Sequence, residues 1–195
     1  INKLSSQGFE IDIHLFFLIG IILTALAVRL YFFLQYGGQA LWYDEADYLL
    51  RAKSIAFNLD WAQLAERKPV LLPFVWSIIL FFGGNEMIIK LSVVLMSVGC
   101  VYVLYLLGKE AYNTMVGLFM ALFFGVFYLS LFHSIRVLLD HGALLATLIS
   151  VLFFIKWYKD NRARDILIAA VAGSLAIQVF FVPLYLVYLF AVFLA

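Results

Sequence analysis

The sequence predicts an all-α integral membrane protein, a multi-span helix bundle with juxtamembrane helices in its first outer loop. Three observations carry that prediction. The chain is 66% hydrophobic and 13% charged, where a soluble domain is about 45–50% apolar and about 25% charged. Its apolar runs repeatedly reach the roughly 20 residues that cross a bilayer. Those runs are apolar on every side, whereas the strands of a lipid-spanning barrel alternate with a polar lumen face. A helix satisfies its own backbone hydrogen bonds, which lipid cannot do.

The elements follow in order. The first span is expected over 14–35, "HLFFLIGIILTALAVRLYFFLQ". No basic segment with a small-residue cleavage site precedes it, so it reads as a retained span. A polar segment follows, and within it residues 43–57 read as a short helix on the membrane surface. Asp44, Asp47 and Tyr48 fall at i, i+3 and i+4 of that helix and share a face. Arg51 stands four residues past Asp47, in the favourable acid-then-base order. Asp44 and Glu45 occupy the first turn, where the helix dipole favours negative charge.

The run 69–82, "PVLLPFVWSIILFF", covers only about 21 Å against a hydrocarbon core of about 30 Å. It reads as a juxtamembrane or re-entrant helix. Further spans are expected over 87–107, 115–132, 139–158 and 166–182. An incomplete one is expected over 184–195, after Pro183. The chain starts at Ile1 and stops inside an apolar run. It therefore reads as a single transmembrane domain over 1–195, the amino-terminal portion of a longer protein. The net charge of +1 gives no reason to expect nucleic acid as a partner. Cys100, the single cysteine, reads as a small packing residue.

The short run at 69–82 decides the topology. Lys156, Lys159, Arg162 and Arg164 crowd one loop, which reads as cytoplasmic. If 69–82 does not cross, three spans separate "YDEAD" from that loop. The carboxylates then lie outside, together with "HSIRVLLD" at 133–140. If it does cross, "YDEAD" lies with the basic loop instead. Its length favours the first arrangement.

Three motifs then stand on one face. The first is Asp44–Glu45. The second is "ERKPVLLP", in which Arg67 and Lys68 precede a helix whose first position is proline. Its free N–H groups suit phosphate; snorkelling flanks are the plainer reading. The third is "HSIRVLLD", with Arg136 and Asp140 at i and i+4 and His133 one turn before Arg136. A structural ion pair is the plainer reading there. Arg29 and Lys90 read as snorkelling span residues, with a functional role as the alternative for Arg29, since ionisable residues inside spans are functional candidates.

The order "W-Y-D-E-A-x-Y", "K-P-x-L-L-P", "F-F-G-G-N-E", "Y-L-L-G-K" and "R-x-x-x-D" resembles the amino-terminal half of GT-C glycosyltransferases. The likeness is to the branch holding protein O-mannosyltransferases and bacterial aminoarabinose transferases of lipid A, over 41–158. It implies a GT-C-like transmembrane module. It also implies a transferase using a polyprenyl-phosphate-linked sugar at the outer face of the cell membrane. By motif position, Asp44 would be the catalytic carboxylate with Glu45 beside it. Lys68 would contact the donor phosphate, and Asp140 would be the acidic residue of the second loop with Arg136 nearby. The branch often carries two prolines after that lysine, where this chain has Pro69 and Val70.

Chemistry assigns similar roles. Sugar transfer to a hydroxyl or amine needs a base within about 2.6–3.2 Å of the acceptor proton. It also needs cationic stabilisation of the leaving phosphate. Asp44 serves as the base; Lys68, Arg136 and Arg67 supply charge. Direct displacement inverts the anomeric centre. Asp47, Tyr48, His133 and His141 complete the candidates. The layout also resembles the oligosaccharyltransferases, a sister branch that holds a metal with a D-x-D-type second motif. Here Asp140 is followed by His141 and Gly142, with no second carboxylate at i+2, so neither that metal nor another cofactor is expected. His141 reads as a hydrogen-bonded loop histidine, with a divalent-metal ligand as the alternative. The lipid bilayer and a sugar donor are expected partners, with the acceptor open. A transporter would place ionisable groups near the midplane at broken helices, and a non-catalytic assembly subunit is the third class.

Overall fold

The computed structural model describes residues 13–59 and 69–180. Arg67, Lys68 and the run at 184–195 lie outside the described residues. Among the described residues there are eight helices: α1 (Ile13–Tyr36), α2 (Tyr43–Phe57), α3 (Leu71–Phe81), α4 (Glu86–Ala111), α5 (Thr114–Val126), α6 (Tyr128–Ser134), α7 (Asp140–Asp160) and α8 (Ala163–Val179). The protein is an all-helical membrane bundle. Helices α1, α4 and α7 are long and apolar enough to cross a bilayer, and the pair α5 and α6 makes a fourth crossing if counted together.

Local chemistry sets the helix ends. Asn85 and Asn113 cap α4 and α5, their side chains accepting from the amides of Ile88 and Val116. Asn58 and Asn161 end α2 and α7 in the left-handed conformation, which asparagine tolerates better than most residues. Gly83, at φ +83, makes the tight turn from α3 to α4.

The spans alternate in direction. Lys90 Nζ on the first turns of α4 donates to the carbonyl of Gly37, just past α1, at 2.6 Å. Further along, Arg29 of α1 reaches Ser97 of α4. The two helices therefore run antiparallel, and α4 begins where α1 ends. Helix α5 turns back against α4 through glycines: a Cβ at Gly117 would stand 2.4 Å from the Tyr105 carbonyl oxygen. Helix α7 runs parallel to α4. Cys100 Sγ donates to the His141 carbonyl near one end, and Lys159 bonds Glu110 at the other. Helix α8 packs on α7 where the Ser150 hydroxyl donates to the Ala169 carbonyl.

Helix α3, 11 residues long, covers about 16 Å. Trp76 Nε1 donates to Ser92 Oγ on α4, and Leu72 meets Gly142 beside Met96 and Val179. So α3 lies along the first eleven residues of α4, its start deep in the bundle and its end at the α4 start. Leu72, Trp76 and Leu80 join Tyr48, Leu49 and Ala52 of α2 in the principal core.

Two expectations change. The segment 115–132 is two helices bent by 58° at Phe127. Arg29 and Lys90 do not snorkel. They are 0% and 3% exposed, because acceptors inside the bundle hold them: Ser97, Ser130, Ala25 and Gly125 for Arg29, Gly37 and Glu86 for Lys90.

Candidate active site

Helix α2 starts at the end of the bundle where α1 finishes, and Glu45 lies in its first turn. Its carboxylate is 2% exposed. Oε2 accepts from the Trp42 amide at 2.7 Å, half of a capping box. The same oxygen accepts from Arg136 Nη1 at 3.2 Å, and Oε1 accepts from the Val137 amide at 2.9 Å. Arg136 and Val137 belong to the turn between α6 and α7. One buried carboxylate therefore ties the first loop to the second, and both lie on one side of the bundle.

Arg136 is held on its other faces by aromatic rings. Its guanidinium carbon lies 3.7 Å from the Trp42 ring centroid and 4.5 Å from that of Phe132. Planar guanidinium on an indole face is a favourable cation–π arrangement. Arg136 Nε is buried and has no hydrogen-bond partner among the described residues. Beside this cation opens a cavity of about 290 Å³ between α1 and α6, walled by Phe32, Tyr36, Gln39, Tyr128 and Phe132.

Asp44, next to Glu45, is exposed. Successive helix residues are about 100° apart, so one carboxylate faces the bundle and its neighbour faces outward. Asp47 pairs with Arg51 at 3.1 Å, the expected i, i+4 contact. Tyr48 is buried in the core under α2.

The expected Arg136–Asp140 pair does not form. Residues 135–139 are a turn and not a helix, so i and i+4 do not share a face. Arg136 goes to Glu45 while Asp140 lies 4.0 Å from His133 Nδ1. His141 is not a loop residue; it sits buried in the first turn of α7. Its Nε2 lies 3.5 Å from Ser130 Oγ. A cavity of about 130 Å³, lined by Ser130, His133, Asp140 and His141, lies beside α6. Arg136 lines the larger cavity and not this one. Among the described residues no three His, Cys, Asp or Glu side chains group closely enough to hold a metal ion.

The sequence reading missed Trp42, Phe132 and the Val137 amide as site components. Trp42 adjoining the acidic pair was the available signal. Phe132 and the amide carried none, because their roles arise only when the loops meet.

The arrangement combines an exposed carboxylate on a fixed helix turn, a neutralised and immobilised arginine, and an aromatic-walled cavity at one end of a membrane bundle. No curated protein and no solved structure matches the chain. A family does: dolichyl-phosphate-mannose-protein mannosyltransferase, over residues 67–195. The match takes in α3 to α8, including Arg136, Val137 and Asp140, and leaves Asp44 and Glu45 outside it. With 129 of 195 residues matched, the chain belongs to the dolichyl-phosphate-mannose-protein mannosyltransferase family and is a membrane glycosyltransferase of the mannosyltransferase type.

Proposed function

We propose that the protein moves mannose from a polyprenyl-phosphate donor to an acceptor hydroxyl or amine at the non-cytoplasmic face of the cell membrane. Asp44 takes the acceptor proton. The observation that carries this reading is the tie between Glu45 and the 136–137 turn. It unites the two loops and leaves Asp44 as the outward carboxylate of the pair. Both oxygens of Glu45 are engaged, so Glu45 positions the site and does not act as a base.

Arg136 is offset by Glu45 and stacked between rings. It helps shape the donor cavity more than it adds net positive charge. The charge that stabilises the leaving phosphate falls to Lys68, with Arg67, just before α3. Asp140, held near His133, borders the second loop. Attack by the acceptor oxygen or nitrogen on the anomeric carbon breaks the bond to the donor phosphate oxygen. The proton goes to Asp44 and the product is inverted. The residues need no metal or other cofactor for these steps.

The test is transfer of radiolabelled mannose from polyprenyl-phosphate-mannose in membranes carrying the protein. Asp44→Asn should lower turnover by about 10²–10⁴-fold, the usual contribution of a general base, at unchanged protein level. Full activity in that variant would remove Asp44 from the mechanism. Retention of anomeric configuration in the product would exclude direct displacement.

A further inference from the structure

The bend between α5 and α6 is not set by its own sequence. Sharp helix bends trace to proline, to Gly/Ser pairs, or to a group inserted into the backbone ladder. Residues 114–134 hold no proline. Gly125 loosens the helix near Phe127 but does not choose an angle. Yet the two helices meet at 58°.

A side chain from α1 fills the bend. Arg29 Nη1 donates to the Gly125 carbonyl at 2.9 Å. That carbonyl lies in the last turn of α5, where a helix leaves its acceptors without partners. Arg29 Nη2 donates to Ser130 Oγ in α6 at 2.9 Å, and Nε donates to Ser97 Oγ in α4 at 2.8 Å. One planar guanidinium thus spans the break and anchors both sides of it to a third helix. Each of these acceptors is neutral, and no carboxylate pairs with Arg29 among the described residues. An ionisable residue kept inside a span at such cost ordinarily has a task. A lysine, with a single compact charge, does not reproduce a planar fork.

The direction of α6 has a consequence for the site. Phe132 contacts Trp42 with ring centroids 5.4 Å apart, and the turn after α6 delivers Arg136 and the Val137 amide to Glu45. If 114–134 ran on as one straight helix, that turn would be carried away from α2.

We propose that Arg29 is a positioning residue of the transferase: its guanidinium holds the α5–α6 elbow and so seats the second loop on Glu45. The elbow rests on geometry alone; its effect on turnover rests on the site proposed above.

The test uses spin labels on Phe57→Cys of α2 and Leu129→Cys of α6, both exposed positions, in a Cys100→Ala background. The parent should give one narrow distance distribution. Arg29→Gln should shift or broaden it and lower turnover per folded molecule at least tenfold, and Arg29→Lys should not restore it. Two conservative variants keep the test open should Arg29→Gln fail to fold. Ser130→Ala removes the α6 arm and should move the distribution, whereas Ser97→Ala removes the α4 arm and should leave it in place. An unmoved distribution in Arg29→Gln, or equal movement in both serine variants, would overturn the elbow. A moved distribution with full turnover would overturn the positioning role. If Asp44→Asn also kept full turnover, the fault would lie in the proposed site and the elbow would stand.

Discussion

Replacing Glu45 is the most direct probe of the two-loop tie. Glu45→Ala strands three donors: the Trp42 amide, the Val137 amide and Arg136 Nη1. Both charged partners are buried, at 2% and 9% side-chain exposure, so solvent does little to screen their loss. Breaking one partner of a buried pair costs about 3–5 kcal/mol, which is the expected loss of stability. Glu45→Gln keeps one acceptor for Val137 but turns an amide donor toward Arg136. Removing a hydrogen bond to a charged group costs about 1.5–3 kcal/mol, so Gln should fall near the middle of that range. The assay is unfolding of the detergent-solubilised protein, run as a double-mutant cycle with Arg136→Met. The coupling should reach about 1–3 kcal/mol, as for contacting residues in one network. A loss below about 1 kcal/mol in Glu45→Ala, or an additive cycle, would refute the reasoning, since a real tie between buried groups cannot vanish without penalty.

Three further outcomes follow from other parts of the fold. Gly117→Ala places a Cβ 2.4 Å from the Tyr105 carbonyl and should destabilise the α4–α5 pair by about 1–3 kcal/mol, read as a lower unfolding midpoint in detergent. Cysteines at Tyr43, 82% exposed, and at Arg162 mark opposite ends of the bundle. A membrane-impermeant maleimide applied to intact cells should label the first and spare the second, and the reverse pattern would invert the proposed orientation. Mannose transfer should persist in excess EDTA; loss restored by added divalent ion would put a metal into the mechanism.

Much of this architecture is written locally. Runs of apolar residues near 20 long mark the helices long enough to cross, and the shortness of 69–82 sets α3 apart from them, because length against bilayer thickness needs no tertiary information. The helix start at Asp44 and Glu45 and the Asp47–Arg51 pair are local too. What escaped the sequence was long-range. Asp44 and Glu45 look alike as neighbours, yet α2 turns one outward and one into a contact 91 residues away. The Arg136–Asp140 spacing suggested a helical pair, but the chain turns at 135–139. The break at Phe127 has no proline and only Gly125 beside it; the side chain that fills it comes from 101 residues earlier than Ser130.

That separation bears on how the protein is made. Helix α1 leaves the ribosome before α4, α5 and α6 and carries Arg29 toward the bilayer without its acceptors there. On insertion scales an arginine at mid-span costs about 2.5–3.5 kcal/mol. At about 5–20 residues per second, Ser97 follows 68 residues later, after roughly 3–14 s, and Ser130 after roughly 5–20 s. During that interval the cation must be sheltered by the insertion machinery or held at the headgroups. The final seating of α1 therefore waits for α5 and α6, and a nascent chain halted before Ser130 should remain bound at its insertion site.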